Sequence, residues 1–167
     1  MQIKRNTSLK TILKIGSVCQ RRNHCCKFGS GSLVGDDLKK IADFLGMSGG
    51  ELKKKYLVEK ELFNTKFLRP KLKSDKPYGK CVFFDNGCKI HSVKPLQCKV
   101  GNCGENGEDL GIWFMLNYRV DKNDPESIRQ YADYLKSGGR TIPGGKLEEL
   151  VPDKDELKKI LSFEKLK

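Results

Sequence analysis

No stretch of this 167-residue sequence approaches the ~18 consecutive apolar residues of a membrane-spanning helix, so a helical membrane protein is not expected. The first fifteen residues are basic and partly apolar, but Lys10 and Lys14 interrupt them and no small-residue cleavage site follows. They read as a poor secretion signal, and a cytoplasmic protein is expected. There is no internal repeat, low-complexity tract or clear linker, which makes residues 1–167 a single expected domain. Acidic residues are short relative to basic ones, 21 against 33, and the net charge of +12 permits attraction to nucleic acid or acidic proteins. Aromatic residues, at 8%, still suffice to anchor a core, which sets the chain apart from a wholly disordered one.

Phosphate-binding fingerprints are missing too. The run Gly29 to Gly35 follows a pair of cysteines rather than a Rossmann-type strand, so it does not read as an adenosylmethionine site. The segment GGRTIPGGKLEEL lacks the G-x-x-x-x-G-K-S/T pattern and reads as a surface loop between helices. The Gly- and Ser-rich stretch from Cys25 to Gly35 can nevertheless wrap tightly and turn backbone N–H groups toward an anion or a cluster sulfur.

What is present reads as mainly helical. Asp36 or Asp37 opens a helix to about Leu45, with Gly46 as its stop. Ser48-x-x-Glu51 is a capping box for a second helix carrying Leu52, Tyr56 and Phe63. Phe67 to Pro70 is expected to be extended. Cys81 to Phe84 and Cys88 to His91 are expected to form a hairpin about Asp85-Asn86-Gly87. Pro95 to Cys98 starts a turn or short helix, and Trp113 to Tyr118 is a strand or a helix face. Asp124-Pro125 and Pro152-Asp153 open two further helices. The expected fold class is α+β, mainly helical: a small single domain with a short hairpin and a cysteine-ligated metal centre joining the N-terminal and central segments.

Seven cysteines fall into two clusters, Cys19, Cys25 and Cys26, then Cys81, Cys88, Cys98 and Cys103. Without a secretion signal, and with an odd count, thiolates for a metal are favoured over a disulfide framework. The second cluster is spaced C-x₆-C-x₉-C-x₄-C. It lacks the short C-x₂-C knuckles of a conventional zinc finger or ribbon. Thiolate suits Zn²⁺ and iron–sulfur clusters alike. All seven cysteines are candidate ligands. In an extended stretch Cys25 and Cys26 would face opposite ways, so both bind one centre only if the backbone turns there. His24 and His91 are candidate partners behind the ligands. A Cys–His nucleophile is the weaker reading, because sequence neighbours seldom align as base and nucleophile.

The order Cys19-x₅-Cys25-Cys26, a helix with Ile41-Ala42 ending Leu45-Gly46, then Cys81-x₆-Cys88-x-Ile90 and Pro95-x-x-Cys98, resembles a known family. It is the small cysteine-cluster family of zinc- or iron-chelating domains, to which a domain of flagellin lysine N-methylase is related. The resemblance covers about Cys19 to Cys98 and implies a metal-binding fold. The family usually has one more cysteine, near the position of Arg22; here Cys103 is the substitute candidate, with a family-like core at about 19–103.

The expected function is therefore metal binding, through an iron–sulfur cluster (4Fe–4S first) or Zn²⁺. Two alternatives accompany it: a zinc-stabilised basic module for nucleic acid or an acidic protein, and a small cluster-dependent redox or group-transfer enzyme. The lysines are spread along the sequence with no aromatic–basic stacking pattern, so the charge supports a nucleic-acid or acidic-protein partner only diffusely.

Overall fold

The computed structural model describes residues 1–18 and 23–167, so Cys19 and Arg22 lie outside the described residues. Regular structure is mostly helical, with a two-stranded antiparallel hairpin, and the fold is α+β. By contact, the chain divides into two compact units. The first comprises residues 1–12, 61–65 and 108–167; the second comprises 13–60 and 66–107.

The second unit carries the cysteines. Helix α1 (Leu9–Gly16) runs into it, and α2 (His24–Phe28) is a single turn at the double cysteine. Helix α3 (Asp37–Leu45) ends in a left-handed Gly46 at φ 66°, with Met47 N donating to Ala42 O and Gly46 N to Asp43 O, a Schellman closure. Helix α4 (Gly49–Tyr56) begins at the expected capping box, Glu51 N donating to Ser48 Oγ and Ser48 N to Glu51 Oε2.

The helix stops at Tyr56, and Phe63 is not on it. Residues Leu57–Leu62 (β1) and Thr65–Pro70 (β2) form the hairpin, joined by Phe63 and Asn64 at φ 51° and 57°. Two positive φ values in a two-residue loop are the type I′ arrangement, whose twist matches that of the flanking strands. The hairpin expected at Cys81 to His91 is reduced to isolated antiparallel bridges, Leu72 with Cys81 and Phe84 with Cys88. Cys81 pairs with the segment following β2 instead of building a regular strand of its own. His91–Val93 is a 3₁₀ turn, and α5 (Leu96–Val100) follows.

The core of this unit joins Leu33, Ile41, Ala42, Leu52, Leu57, Phe83, Phe84 and Ile90 to Cys81, with Cys26 and Cys88 packed against its edge. The metal-ligand candidates therefore stand on a hydrophobic floor.

The first unit is built from α6 (Gly107–Tyr118), which begins at the unit boundary, α7 (Pro125–Lys136), α8 (Leu147–Leu150) and α9 (Lys154–Leu161). Trp113–Tyr118 is thus helical. Helix α6 buries Leu110, Ile112, Trp113, Phe114 and Leu116, so it is apolar on nearly every side, as an enclosed helix is. Trp113 Nε1 donates to Thr7 O at 3.0 Å, tying the N-terminal segment to it. Phe63, at the hairpin tip, meets Tyr131 of α7 edge-on at 5.6 Å. The segment expected as a loop contains α8 and is held by Tyr131 Oη, which donates to Gly145 O at 2.8 Å. No described helix is long and apolar enough to cross a membrane.

Candidate metal centre

The double cysteine sits where the backbone turns. Asn23 adopts a left-handed conformation at φ 56°, and His24–Phe28 then completes one helical turn, so Cys25 and Cys26 do not alternate as they would in a strand. The turn's carbonyls receive the second cluster: Cys81 N donates to Cys26 O at 2.9 Å and Gly79 N to Phe28 O at 3.3 Å. These two bonds bring residues more than fifty positions apart into register.

The Gly- and Ser-rich segment wraps the other side. Gly31 N–H donates to Cys98 Sγ. A Cβ on Gly31 would lie 2.3 Å from that sulfur, so only glycine allows the approach. Next in sequence, Ser32 N and Ser32 Oγ both donate to Gln97 Oε1 at 2.6 Å. Buried Asp37, at the start of α3, accepts from Val34 N and Leu96 N through Oδ2, both at 2.9 Å. Its carboxylate thereby fixes the first turn of α5, on which Cys98 rides.

Cys25, Cys26, Cys81, Cys88, Cys98 and Cys103 together border one cavity of about 430 Å³ within the second unit. His91 and Lys94 complete its rim. Cys103 is exposed. His24 does not border the cavity; its ring lies 4.8 Å from that of Phe28. Cys19 falls outside the described residues. Among the described residues no three Cys, His, Asp or Glu side chains are grouped so as to hold one metal ion.

Electrostatics differ from sulfur to sulfur. Cys26 is within hydrogen-bond reach of both Cys25 and Cys88, and this sharing lowers each of those two thiols to about 6. The same contacts hold the proton on Cys26 and raise its pKa well above the thiol range. Lys94 adds a smaller pull toward thiolate at Cys25 and Cys88. Burial raises Cys81, against the hydrogen bond from Phe83 N–H, and pushes Cys98 up to about 12. Ile90 N–H serves Cys88 as Phe83 N–H serves Cys81. In both cases the amide two residues after the cysteine faces its sulfur.

The donor set is thus almost wholly sulfur, partly ionised, backed by backbone N–H groups and adjoined by one lysine. That chemistry fits a thiophilic centre of zinc or iron. The cysteines announced themselves by type, and the Gly- and Ser-rich stretch that contains Gly31 was expected to turn N–H groups toward a sulfur, whereas Gln97 and Lys94 carried no separate signal. Lys94 is one lysine among many, and the roles of Gly31 and Gln97 exist only once residues 29–33 lie against α5.

The family model CxxCxxCC, described as "Putative zinc- or iron-chelating domain", matches residues 18–112, more than half of the chain and every cysteine in it. No curated protein and no solved structure matches the chain.

Proposed function

The chain belongs to this family of zinc- or iron-chelating domains, and from that premise we propose that its metal centre is an iron–sulfur cluster. The observation that supports this reading is the size and lining of the cavity. A zinc ion in a tetrahedral sulfur site stands about 2.3 Å from each ligand and fills the space between them. A sulfur-bordered space of about 430 Å³ suits a bulkier inorganic core that carries its own sulfide. Cys26, Cys81, Cys88 and Cys98 are the proposed principal ligands, because they are packed against the core or enclosed by the Gly31 wrap. Cys25, Cys103 and Cys19 are the supplementary candidates.

Such a cluster supplies one-electron transfer at a potential that its protein surroundings set. This chain contributes the N–H groups of Phe83, Ile90 and Gly31, which withdraw electron density from the sulfurs of Cys81, Cys88 and Cys98. Lys94 offsets negative charge at the rim, and the apolar floor under Cys81 restricts water. Because the ligands come from segments far apart in sequence, binding free energy is also folding free energy, and loading releases the protons still held by the thiols.

Anaerobic purification with metal and sulfide analysis tests the proposal. Iron and acid-labile sulfide in equal amounts, with broad visible absorption, are expected. A colourless protein with stoichiometric zinc would sink it. Serine replacements at Cys26, Cys81, Cys88 and Cys98 should each lower metal content, and full occupancy in all four variants would show that the ligand assignment is wrong.

A further inference from the structure

Positive charge is not spread evenly over the chain. The second unit holds 19 Lys and Arg against 8 Asp and Glu, a net +11, while the first holds 14 against 13, a net +1. Nearly all of the +12 therefore belongs to the unit that carries the cysteines.

The fold collects part of that charge on one surface. Lys53, Lys54 and Lys55 form the last turn of α4. Lys71 is joined to that turn: its N–H donates to Tyr56 O at 2.8 Å and its Nζ to Lys54 O at 2.9 Å. Beyond it the chain doubles back, Leu72 pairing with Cys81 and Lys73 N donating to Lys80 O at 2.7 Å. Side chains alternate along paired extended segments. With Cys81 and Leu72 on one face, Lys71, Lys73 and Lys80 share the other.

Lys73 and Lys80 thus stand opposite each other across an antiparallel pair, an arrangement of like charges that destabilises a sheet on its own. None of these six lysines, nor Lys76, enters an ion pair among the described residues. Between Lys76 and Lys80 the exposed ring of Tyr78 projects at the turn, with Lys76 Nζ 5.7 Å from its centroid. Phe28, 56% exposed, is adjacent through the bond from Gly79 N to its carbonyl.

We propose that this surface binds single-stranded nucleic acid. Lys53, Lys54, Lys55, Lys76 and Lys80 supply the phosphate contacts, while Lys71 and Lys73 donate from Nζ to the carbonyls of Lys54 and Phe84; Tyr78 and Phe28 offer flat faces on which bases stack. That combination is how non-specific single-strand binders work. An acidic protein would use the lysines but would gain little from two exposed rings. Phe28 also borders the metal cavity, whereas Tyr78 and the lysines of the surface do not.

The test uses the metal-loaded full chain and a fluorescein-labelled 15-nucleotide oligouridine RNA, followed by anisotropy between 50 and 200 mM salt. Binding should weaken with salt at a log–log slope of about −0.7 per phosphate contacted. Tyr78→Ala should weaken binding about 5- to 100-fold, while Tyr78→Phe retains it. The triple change Lys54→Gln, Lys76→Gln and Lys80→Gln should flatten the slope by about 2. The matching exposed triple Lys154→Gln, Lys158→Gln and Lys159→Gln in the first unit should change neither quantity. Circular dichroism and metal content establish that each variant is folded. No binding at 50 mM salt overturns the proposal, as does equal weakening by the two lysine triples. A third overturning result is polyglutamate competing as well as RNA, with Tyr78→Ala indistinguishable from the parent; it would assign the surface to an acidic protein.

Discussion

Cys98 reaches the cavity because residue 31 has no side chain. Gly31→Ala would place a methyl group 2.3 Å from Cys98 Sγ and 3.0 Å from its backbone nitrogen, so one of the two segments must move. Metal bound per chain should fall to less than half. Gly29→Ala is the control: its φ of −171° suits any residue, and the nearest atom to its Cβ is 3.9 Å away, so metal content should stay at the parent level. Metal analysis of the two purified variants decides it. Behind this contact Gln97 accepts two hydrogen bonds from Ser32. Gln97→Leu removes that acceptor from a buried serine and should cost about 1–3 kcal/mol in chemical denaturation. The cysteines could be recognised from residue type alone, since a thiolate announces its chemistry wherever it lies. The glycine-rich wrap was legible as a class, but its partner Cys98 and the role of Gln97 were not, because both come from a close approach between chain segments more than sixty residues apart.

Secondary elements were readable wherever their ends carry their own chemistry. The starts of α4, α7 and α9 use Ser48, Asp124 and Asp153 as caps, and α3 closes on Gly46, all local signals. The β1–β2 hairpin lacked such a mark. Its turn is Phe63-Asn64 rather than Asn-Gly, and left-handed Phe63 is tolerated because its ring is buried against Tyr131. Trp113 to Tyr118 was ambiguous because α6 is buried nearly all round and shows no clean period. Two tests belong to the elements. Asp37→Ala deprives Val34 N and Leu96 N of their shared acceptor and should lower stability by about 2–3 kcal/mol in urea unfolding. In α7, the Arg129 guanidinium and then the Gln130 amide hold the Glu126 carboxyl below its usual pKa. Its stabilising contribution is complete above the unfolded-state value of about 4.3 and is lost as pH falls through the lower folded value. Thermal melts of the parent and Glu126→Gln should differ by a constant margin at neutral pH, and that margin should close in acid.

Over the whole molecule, the sequence displayed a net charge and seven cysteines, but not their coincidence in one compact unit. Residues 13–60 and 66–107 hold both, and only the folded contacts reveal that grouping. Chelation should therefore act regionally. Hydrogen exchange after metal removal should show amides such as those of Leu33 and Cys81 losing protection, while those of α7 and α9, which pack on each other, keep theirs. Uniform loss across both units would show that the metal supports the entire chain. The division of the chain also sets an order of events during synthesis. Every residue of the metal-bearing unit has been joined by position 107, whereas the other unit needs residues 108–167 to complete its helices. At about 5–20 residues per second, translation of that remainder takes about 3–12 s. All seven cysteines are thus joined while the other unit still lacks residues 108–167, so the cysteine-bearing unit is the first of the two whose sequence is complete.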